Sequence, residues 1–245
     1  MRSVSTALEV LVLISRMQPI GLSELTRQSR LPKSTVQRCI ATLAASGWIE
    51  PEASHTSRWV IGMRAFAVGS TVADRAGLRH RALPVMNDLN ARTRETIHLS
   101  IQDGPEAVLV ERIDSPHPLR AVAPLGTRGA LHASSNGKAI LARLSDEEID
   151  QYLARSLERP TSHTVVDAEA LTKEIGQIRE RSYAISNEEL LDGIVSVAAA
   201  IQPRGMKPVA ALSISGPKSR MLSNVLDEYG AAVSAAAHRI AEGLR

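Results

Sequence analysis

Between residues 31 and 50 the chain reads LPKSTVQRCIATLAASGWIE, and its apolar residues recur at helical spacing. Positions i, i+3, i+4 and i+7 of this stretch are Val36, Cys39, Ile40 and Leu43, which predicts a helix with one buried stripe. The outward side of its first two turns then carries Lys33, Ser34, Gln37 and Arg38. No acidic residue occurs between Lys33 and Gly47. The pattern predicts an exposed surface that is basic and free of carboxylates.

The elements around this helix are typical of a winged helix-turn-helix. A first helix is expected over residues 4–17 and a short second one from an N-cap at Ser23 to Ser29, with Pro32 opening the third and Gly47 ending it. The β-prone runs WIEP and RWVI follow, separated by the polar loop EASHTS. The first helix is expected to carry Leu8, Leu11, Val12 and Ser15 on one face.

The rest of the chain predicts a linker helix over 63–82 and then an α+β domain with a mostly antiparallel sheet, because strands and helices are interspersed around hairpins. The predicted domains are 1–62, 63–82 and 83–245. The expected helices span about 84–94, 136–144, 146–157, 167–181 and 219 onward. The expected strands are TIHLSIQ, AVLVERID, RAVAP, YAIS, IVSVAAAI and VAALSIS.

The strand over residues 194–201 has two different faces. One is full-sized, with Val195, Val197, Ala199 and Ile201; the other is small, with Ile194, Ser196, Ala198 and Ala200. The small face has two interpretations, which the residues alone leave evenly balanced. It lines a ligand cavity, or it packs closely against an Ala-rich helix, which the C-terminal helix could supply.

The basic charge is concentrated at the N-terminus. Residues 1–64 hold eight Lys and Arg against four Asp and Glu, although the whole chain has a net charge of only +3. This asymmetry suggests a polyanionic partner for that segment. A single cysteine, Cys39, excludes an internal disulfide, and no signal peptide or membrane span is evident, so we expect a cytoplasmic protein without a membrane partner.

The third helix and the wing supply candidate contacts to duplex DNA. Lys33, Ser34 and Thr35 lie in the opening turn, where free backbone N–H groups favour phosphate. Gln37 and Arg38 suit base edges in the major groove, and the wing offers His55 and Arg58. The alternative is a solvated helical domain that binds protein. Trp48 and Trp59 are expected to form a cross-strand pair beside the wing.

The stretch GALHASSNGKAILA, residues 129–142, is a polar turn that runs into a helix and can bind a carboxylate or simply cap that helix. It does not match a Walker loop, because seven residues separate Gly129 from Gly137 and no hydroxyl follows Lys138. The run SISGP lacks a nucleophile elbow, and the histidines show no metal-binding spacing. We therefore expect no enzyme activity, no metal and no cofactor.

Several blocks in order resemble the IclR family of bacterial transcription regulators, from about Val4 to the C-terminus. They are LPKSTVQRCIATLAASGWIE, ETIHLSI, LHASSNGKAILARL, ERSYAISNEELLDGIVSVAAAI and AALSISGP. The resemblance implies an N-terminal winged helix-turn-helix, a linker helix used in dimerisation and a GAF-like effector-binding domain. It also implies homodimers or homotetramers that act on operator DNA as repressor or activator.

Carried over by position, the family's DNA contacts match Ser34, Thr35, Gln37 and Arg38. Its effector pocket matches Gly129, Ser135, Asn136, Ser186, Ile194 and Ser196, which favours the cavity interpretation of the small strand face. Many members have small apolar residues in place of Ser135 and Asn136, an acidic residue in place of Ser186 and Pro in place of Ala200. The pocket is therefore expected to be more polar yet uncharged on that side. By resemblance alone, the effector is an organic or aromatic acid.

The resulting hypothesis is a transcription factor whose operator affinity is modulated by a small molecule. Its rival is a small-molecule-binding or hydrolytic protein whose helical domain mediates protein association.

Overall fold

The computed structural model describes residues 2–73 and 77–244. The chain forms two compact units, Met1–Ala73 and Asp74–Arg245. The division falls inside the segment 63–82 that was predicted as a linker helix, so part of that segment belongs to each unit. No helix among the described residues is long and apolar enough to cross a membrane.

The first unit has the element order of a winged helix-turn-helix, as predicted. Its three strands form an antiparallel sheet in the order β1-β3-β2. The elements are α1 (Arg2–Met17), β1 (Ile20–Gly21), α2 (Leu22–Ser29), α3 (Lys33–Ala45), β2 (Ile49–Glu52), β3 (His55–Ile61) and α4 (Met63–Ala73).

The core of the first unit joins α1, α2 and α3. Val10 and Ile14 of α1 are fully enclosed and pack with the buried side chains of α3. The face of α1 with Leu8 and Val12 is not the one that packs, since both side chains are about half exposed. The run ALEVLVLI is apolar on most sides of the helix, so its spacing does not single out the side that packs. The buried residues of α3 are the predicted Val36, Cys39, Ile40 and Leu43.

The helix predicted around Pro84 begins earlier than expected. Helix α5 runs over Leu78–Thr93 with Pro84 inside it, so the end of the predicted 63–82 helix belongs to α5, and residues 74–76 lie outside the described part. Proline lacks a backbone N–H, so the carbonyl of His80, one turn earlier, loses its helical donor; His80 and Pro84 are both exposed. The apolar stripe of α5, which includes Leu78, Met86 and Leu89, keeps the helix on the core.

The second unit is built on a six-stranded sheet in the order β6-β5-β4-β9-β8-β7, with antiparallel neighbours throughout. This confirms the predicted α+β class. The strands are β4 (Thr96–Asp103), β5 (Glu106–Ile113), β6 (Arg128–Ala130), β7 (Ala184–Asn187), β8 (Ile194–Ile201) and β9 (Ala210–Pro217). The helices besides α5 are α6 (Ser135–Leu141), α7 (Asp146–Leu153), α8 (Ala168–Arg181) and α9 (Ser223–Glu242).

The predicted strand RAVAP, residues 120–124, is not a strand. Its carbonyl groups accept hydrogen bonds from side chains and not from a neighbouring strand. Thr96 Oγ1 donates to the Ala121 carbonyl at 3.0 Å, and Arg112 Nη1 donates to the Ala123 carbonyl. The edge of the sheet is formed by the short strand β6, which pairs with β5 and which the sequence did not indicate.

The sheet carries a different layer on each face. On one face Val195, Val197, Ala199 and Ile201 of β8 pack with α5 and α9. The C-terminal helix therefore covers the full-sized face of β8 and not the small one, contrary to one interpretation of the sequence. On the other face Ala198 and, less completely, Ala200 pack with α6 and α8. The small face is thus divided, because its first half, at Ile194 and Ser196, borders a cavity.

Candidate functional site

Helix α3 presents the polar surface that its sequence predicts. Pro32 occupies the N-cap position with an extended backbone, one residue before the expected place, and Lys33 begins the helix. Lys33, Ser34, Gln37 and Arg38 are exposed, whereas Thr35 is half-buried. The first turn carries no acidic residue, so the backbone dipole and the side chains there favour an anion together. The surface is chemically suited to a phosphate backbone.

The wing is shorter than its sequence suggests, because β3 already begins at His55 and only residues 53–54 connect the two strands. His55 is exposed and pairs with Glu52 after a bulge. Arg58 is also exposed, but its Nε and Nη2 donate to the Pro19 carbonyl at 3.1 and 2.6 Å. Arg58 therefore ties the wing to the end of α1, and this contact competes with its predicted role at DNA.

The two tryptophans beside the wing do not form the expected cross-strand pair. Trp59 lies opposite Pro51 on one side and Ile20 on the other. Trp48 precedes β2, and its ring lies 5.8 Å from the guanidinium of Arg64. Each ring packs against the core of the first unit. The two tryptophans therefore do not form a pair that could stack on a base.

A cavity of about 130 Å³ opens in the second unit between the sheet and α6. All six residues predicted for an effector pocket line it: Gly129, Ser135, Asn136, Ser186, Ile194 and Ser196. Strands β7 and β8 bring Ser186 opposite Ser196, and the start of α6 places Ser135 Oγ 2.7 Å from Ser196 Oγ. Ser186 Oγ donates to the Ala133 carbonyl at 3.0 Å. The polar wall of the cavity is thus held by its own hydrogen bonds.

Four further polar lining residues come from the central strands β4 and β9, and the sequence reasoning missed them: His98, Ser100, Ser213 and Ser215. Strand pairing sets Ser215 beside Ser196 and Ser213 beside His98. The alternation in HLS places His98 and Ser100 on one face of β4, and the alternation in SISGP places Ser213 and Ser215 on one face of β9. What was missing was the order of the strands, which decides that these faces border the same cavity.

The lining is electrically neutral near pH 7. Burial, reinforced by the nearby Arg112 guanidinium, lowers the pKa of His98 to about 4, so its ring is uncharged. The other polar residues among the described lining are serines, a threonine and an asparagine. Small apolar side chains and the leucines at 190 and 191 complete the wall. Such a mixture of apolar surface and a few placed polar groups is typical of a small-molecule site.

Behind this wall lies a buried charge cluster. Lys138 is 1% exposed, and its Nζ donates to Glu174 Oε1 and Glu189 Oε1, each at 2.7 Å. Burial raises the pKa of the Glu189 carboxyl, although the Lys138 ammonium opposes that shift. Thr161 and Thr164 donate to backbone carbonyls at residues 188 and 189. The cluster fixes the loop that carries Leu190 and Leu191 into the cavity wall.

The arrangement offers no catalytic constellation at His132. Its Nδ1 is 2.7 Å from the Tyr152 hydroxyl, and its Nε2 is 2.7 Å from the Glu158 carbonyl, so both ring nitrogens are engaged in structural contacts. Within residues 2–73 and 77–244, no group of three or more His, Cys, Asp or Glu side chains could hold a metal ion.

Two family models match this chain. Residues 3–53 match the IclR helix-turn-helix domain, and residues 70–242 match the C-terminal domain of the bacterial transcriptional regulator IclR.

Characterised relatives match nearly the whole chain. The HTH-type transcriptional regulator BhcR of Paracoccus denitrificans is 37% identical over 244 residues, which is 99% of this chain and 87% of the relative. The transcriptional repressor IclR of Escherichia coli is 34% identical over 224 residues, covering 90% and 81%. These relatives are transcriptional regulators and repressors, so the chain groups with a family of regulators and not with enzymes.

Solved structures share the fold along their full length. An IclR homologue of Microbacterium hydrocarbonoxydans, in complex with 4-hydroxybenzoate, has a TM-score of 0.85 and 26% identity and covers 99% of both chains. The Thermotoga maritima IclR has a TM-score of 0.80 and 28% identity, covering 98% of this chain and 97% of its own.

Proposed function

This chain belongs to the IclR family of bacterial transcriptional regulators, and we propose that it controls transcription by binding operator DNA through α3 and the wing while a small molecule in the cavity modulates its affinity. The acid-free exposed surface of α3 is the observation that supports the proposed binding to operator DNA. The neutral cavity, lined by all six predicted residues, is the observation that supports the proposed binding of a small-molecule effector.

The proposed DNA contacts divide by role. Lys33, Ser34 and Thr35 meet phosphate at the start of α3, where helix dipole and charge act together. Gln37 and Arg38, one turn further, read base edges in the major groove. His55 is the wing residue best placed for the backbone, whereas Arg58 reaches DNA only if its contact with Pro19 opens. The proposed site is therefore centred on α3.

For the cavity we propose an organic or aromatic acid. The 4-hydroxybenzoate complex of the structural relative supports an acid of this size. The effector shifts operator binding only if its affinity differs between two arrangements of the protein, and we propose that these belong to a homodimer or homotetramer acting in the cytoplasm. The linker segment 63–82 is the proposed path between the two units.

The test is fluorescence anisotropy with duplexes from the promoter region beside the chain's own gene. Arg38→Ala should weaken operator binding by about 1–3 kcal/mol and relax the base preference at one position. Arg204→Ala, an exposed arginine in the second unit, is the matched control and should leave operator binding unchanged. Unchanged affinity and base preference in Arg38→Ala would remove Arg38 from the interface.

A footprint on the same promoter tests the proposal as a whole. The folded protein should protect a defined site, and its affinity for random duplex should fall steeply with salt, because phosphate contacts release counterions. Absence of any protected site with folded protein in excess would refute operator binding at this promoter.

A further inference from the structure

Helix α4 is attached to the first unit but stands outside its core. That core is formed by side chains of α1, α2, α3, the strands and the turns between them, without a side chain of α4 among the described residues. Met63 is 71% exposed and Phe66 is 69% exposed, and the helix stays exposed as far as Ser70. A helix that buries no apolar stripe is not oriented by packing. The direction of α4 is therefore set where it joins the rest of the unit.

The joint is built on backbone contacts at Gly62. Its N–H donates to the Trp48 carbonyl at 2.9 Å, and its own carbonyl accepts from the Ala65 N–H at 3.1 Å in the first turn of α4. A Cβ at this position would lie 2.6 Å from the Gly47 carbonyl oxygen, so only glycine allows the two segments to approach this closely. The start of α4 is thus held against the turn that follows α3.

Arg64 adds a side-chain contact across the same joint. Its Nη1 donates to the Ser46 carbonyl at 2.6 Å, and its guanidinium carbon lies 5.8 Å from the centroid of the Trp48 ring. Ser46 is the C-cap of α3, where the negative end of the helix dipole favours a cation. The first turn of α4 is therefore connected directly to the end of α3.

The angle between α3 and α4 has a consequence in the proposed homodimer. There the exposed Met63 and Phe66 offer α4 as a contact surface for the partner copy, while each copy of α3 meets one half of the operator. One added base pair moves a half-site by roughly 3.4 Å along the duplex and turns it by roughly 35°. A rigid joint cannot follow this displacement, whereas a loose one can.

We infer that Arg64 is a positioning residue, which fixes the angle between α3 and α4 and thereby the half-site spacing that the dimer accepts. The inference rests on the proposed function and makes it more specific. Arg64 acts through α3, and its guanidinium is engaged with the Ser46 carbonyl and not with phosphate.

The test is fluorescence anisotropy on operators whose half-sites are separated by the native spacer, by one base pair more or by one base pair fewer. The wild type should lose about tenfold or more in affinity at each altered spacer, and Arg64→Ala less than about threefold, with the base preference within each half-site retained. Arg64→Lys keeps a donor for the Ser46 carbonyl and should keep the wild-type spacing preference. Ser70→Ala, at an exposed position of the same helix, is the matched control and should keep it too.

Three results of this titration would overturn the inference. A wild type that tolerates every spacer has no fixed angle to explain. Equal spacing penalties in the wild type and in folded Arg64→Ala, including a uniform loss of affinity at every spacer, reduce Arg64 to a structural contact. A slope of log affinity against log salt that becomes shallower by about 1 in Arg64→Ala shows that Arg64 binds a phosphate instead.

Hydrogen exchange of the free chain separates this inference from the proposed function, because it needs no DNA. Amides of α4 over residues 65–70 should exchange faster in Arg64→Ala than in the wild type or Ser70→Ala, whereas those of α3 should stay protected. If this difference appears but the folded wild type binds no duplex, operator binding is refuted and the joint at Arg64 stands. Unchanged exchange in α4 overturns the joint, whether or not the chain binds its operator.

Discussion

Replacing Lys138 by Met removes a buried cation that two carboxylates share while keeping a similar side-chain volume. Glu189 then retains a carboxylate that is only 9% exposed and no longer has its ammonium partner. Breaking a buried ion pair by removing one partner costs about 3–5 kcal/mol. Because Glu174 remains 22% exposed and can turn to water, we expect the lower end, about 3 kcal/mol.

The expected loss is measurable as a lower unfolding temperature of the second unit. For a unit of this size, 1 kcal/mol corresponds to roughly 2–4 °C, so about 3 kcal/mol predicts a decrease of about 6–12 °C. Scanning calorimetry of the full chain separates this transition from that of the first unit, which should not move. Lys173→Met, at an exposed position on α8, is the matched control.

The pKa of Glu189 determines how the loss of stability in Lys138→Met changes with pH. The folded-state pKa of Glu189 is raised, so its stabilising contribution is fully present below its unfolded pKa near 4.5 and is lost as the pH rises through the folded value. Without Lys138 the folded pKa of Glu189 rises further, so the difference in stability from the wild type should grow as the pH rises above about 4.5. Adding Glu189→Gln to Lys138→Met should restore part of the lost stability. A pH-independent difference, or no rescue, would refute an unpaired carboxylate as the cause.

Three further substitutions test other parts of the second unit. Ser196→Leu should fill part of the cavity and weaken effector binding at least about tenfold by calorimetry, with operator affinity unchanged by anisotropy; full effector binding would exclude the site. Gly137→Ala should destabilise by at least about 1–3 kcal/mol in urea unfolding, because its Cβ would lie 2.3 Å from the Leu131 backbone; an unchanged midpoint would contradict this contact. Arg220→Met should cost about 3 kcal/mol, because Glu95 is 3% exposed and would lose its guanidinium partner; an unchanged thermal melt would contradict this contact.

The exposed surface of α3 could be predicted because the residues that determine it all lie within one helix. Val36, Cys39, Ile40 and Leu43 recur at the helical period, so burial of one side determines what the other exposes. The same reasoning does not identify the buried side of helix α1, because its run ALEVLVLI is apolar on most sides. There the neighbouring helices, and not the period, select Val10 and Ile14 for burial.

The cavity could be predicted only in part, because it depends on strand order. Alternation along β8 correctly separated its two faces, and the family resemblance pointed to residues on α6, β7 and β8. His98 and Ser215 stand 117 positions apart, and only the pairing of β4 with β9 brings them together. No local pattern carries that information, which is why the central strands were missed.

The lone thiol of Cys39 can serve as a natural reporter of opening in the DNA-binding unit. It is 8% exposed on the inner side of α3, and the second unit has no cysteine to compete with it. Because most of the thiol is covered, its reaction with a thiol reagent should be slow until α3 separates from its neighbours, and the rate should report how often this occurs. Following that rate while the cavity is titrated would show whether an event in one unit loosens or tightens the other, without any attached dye.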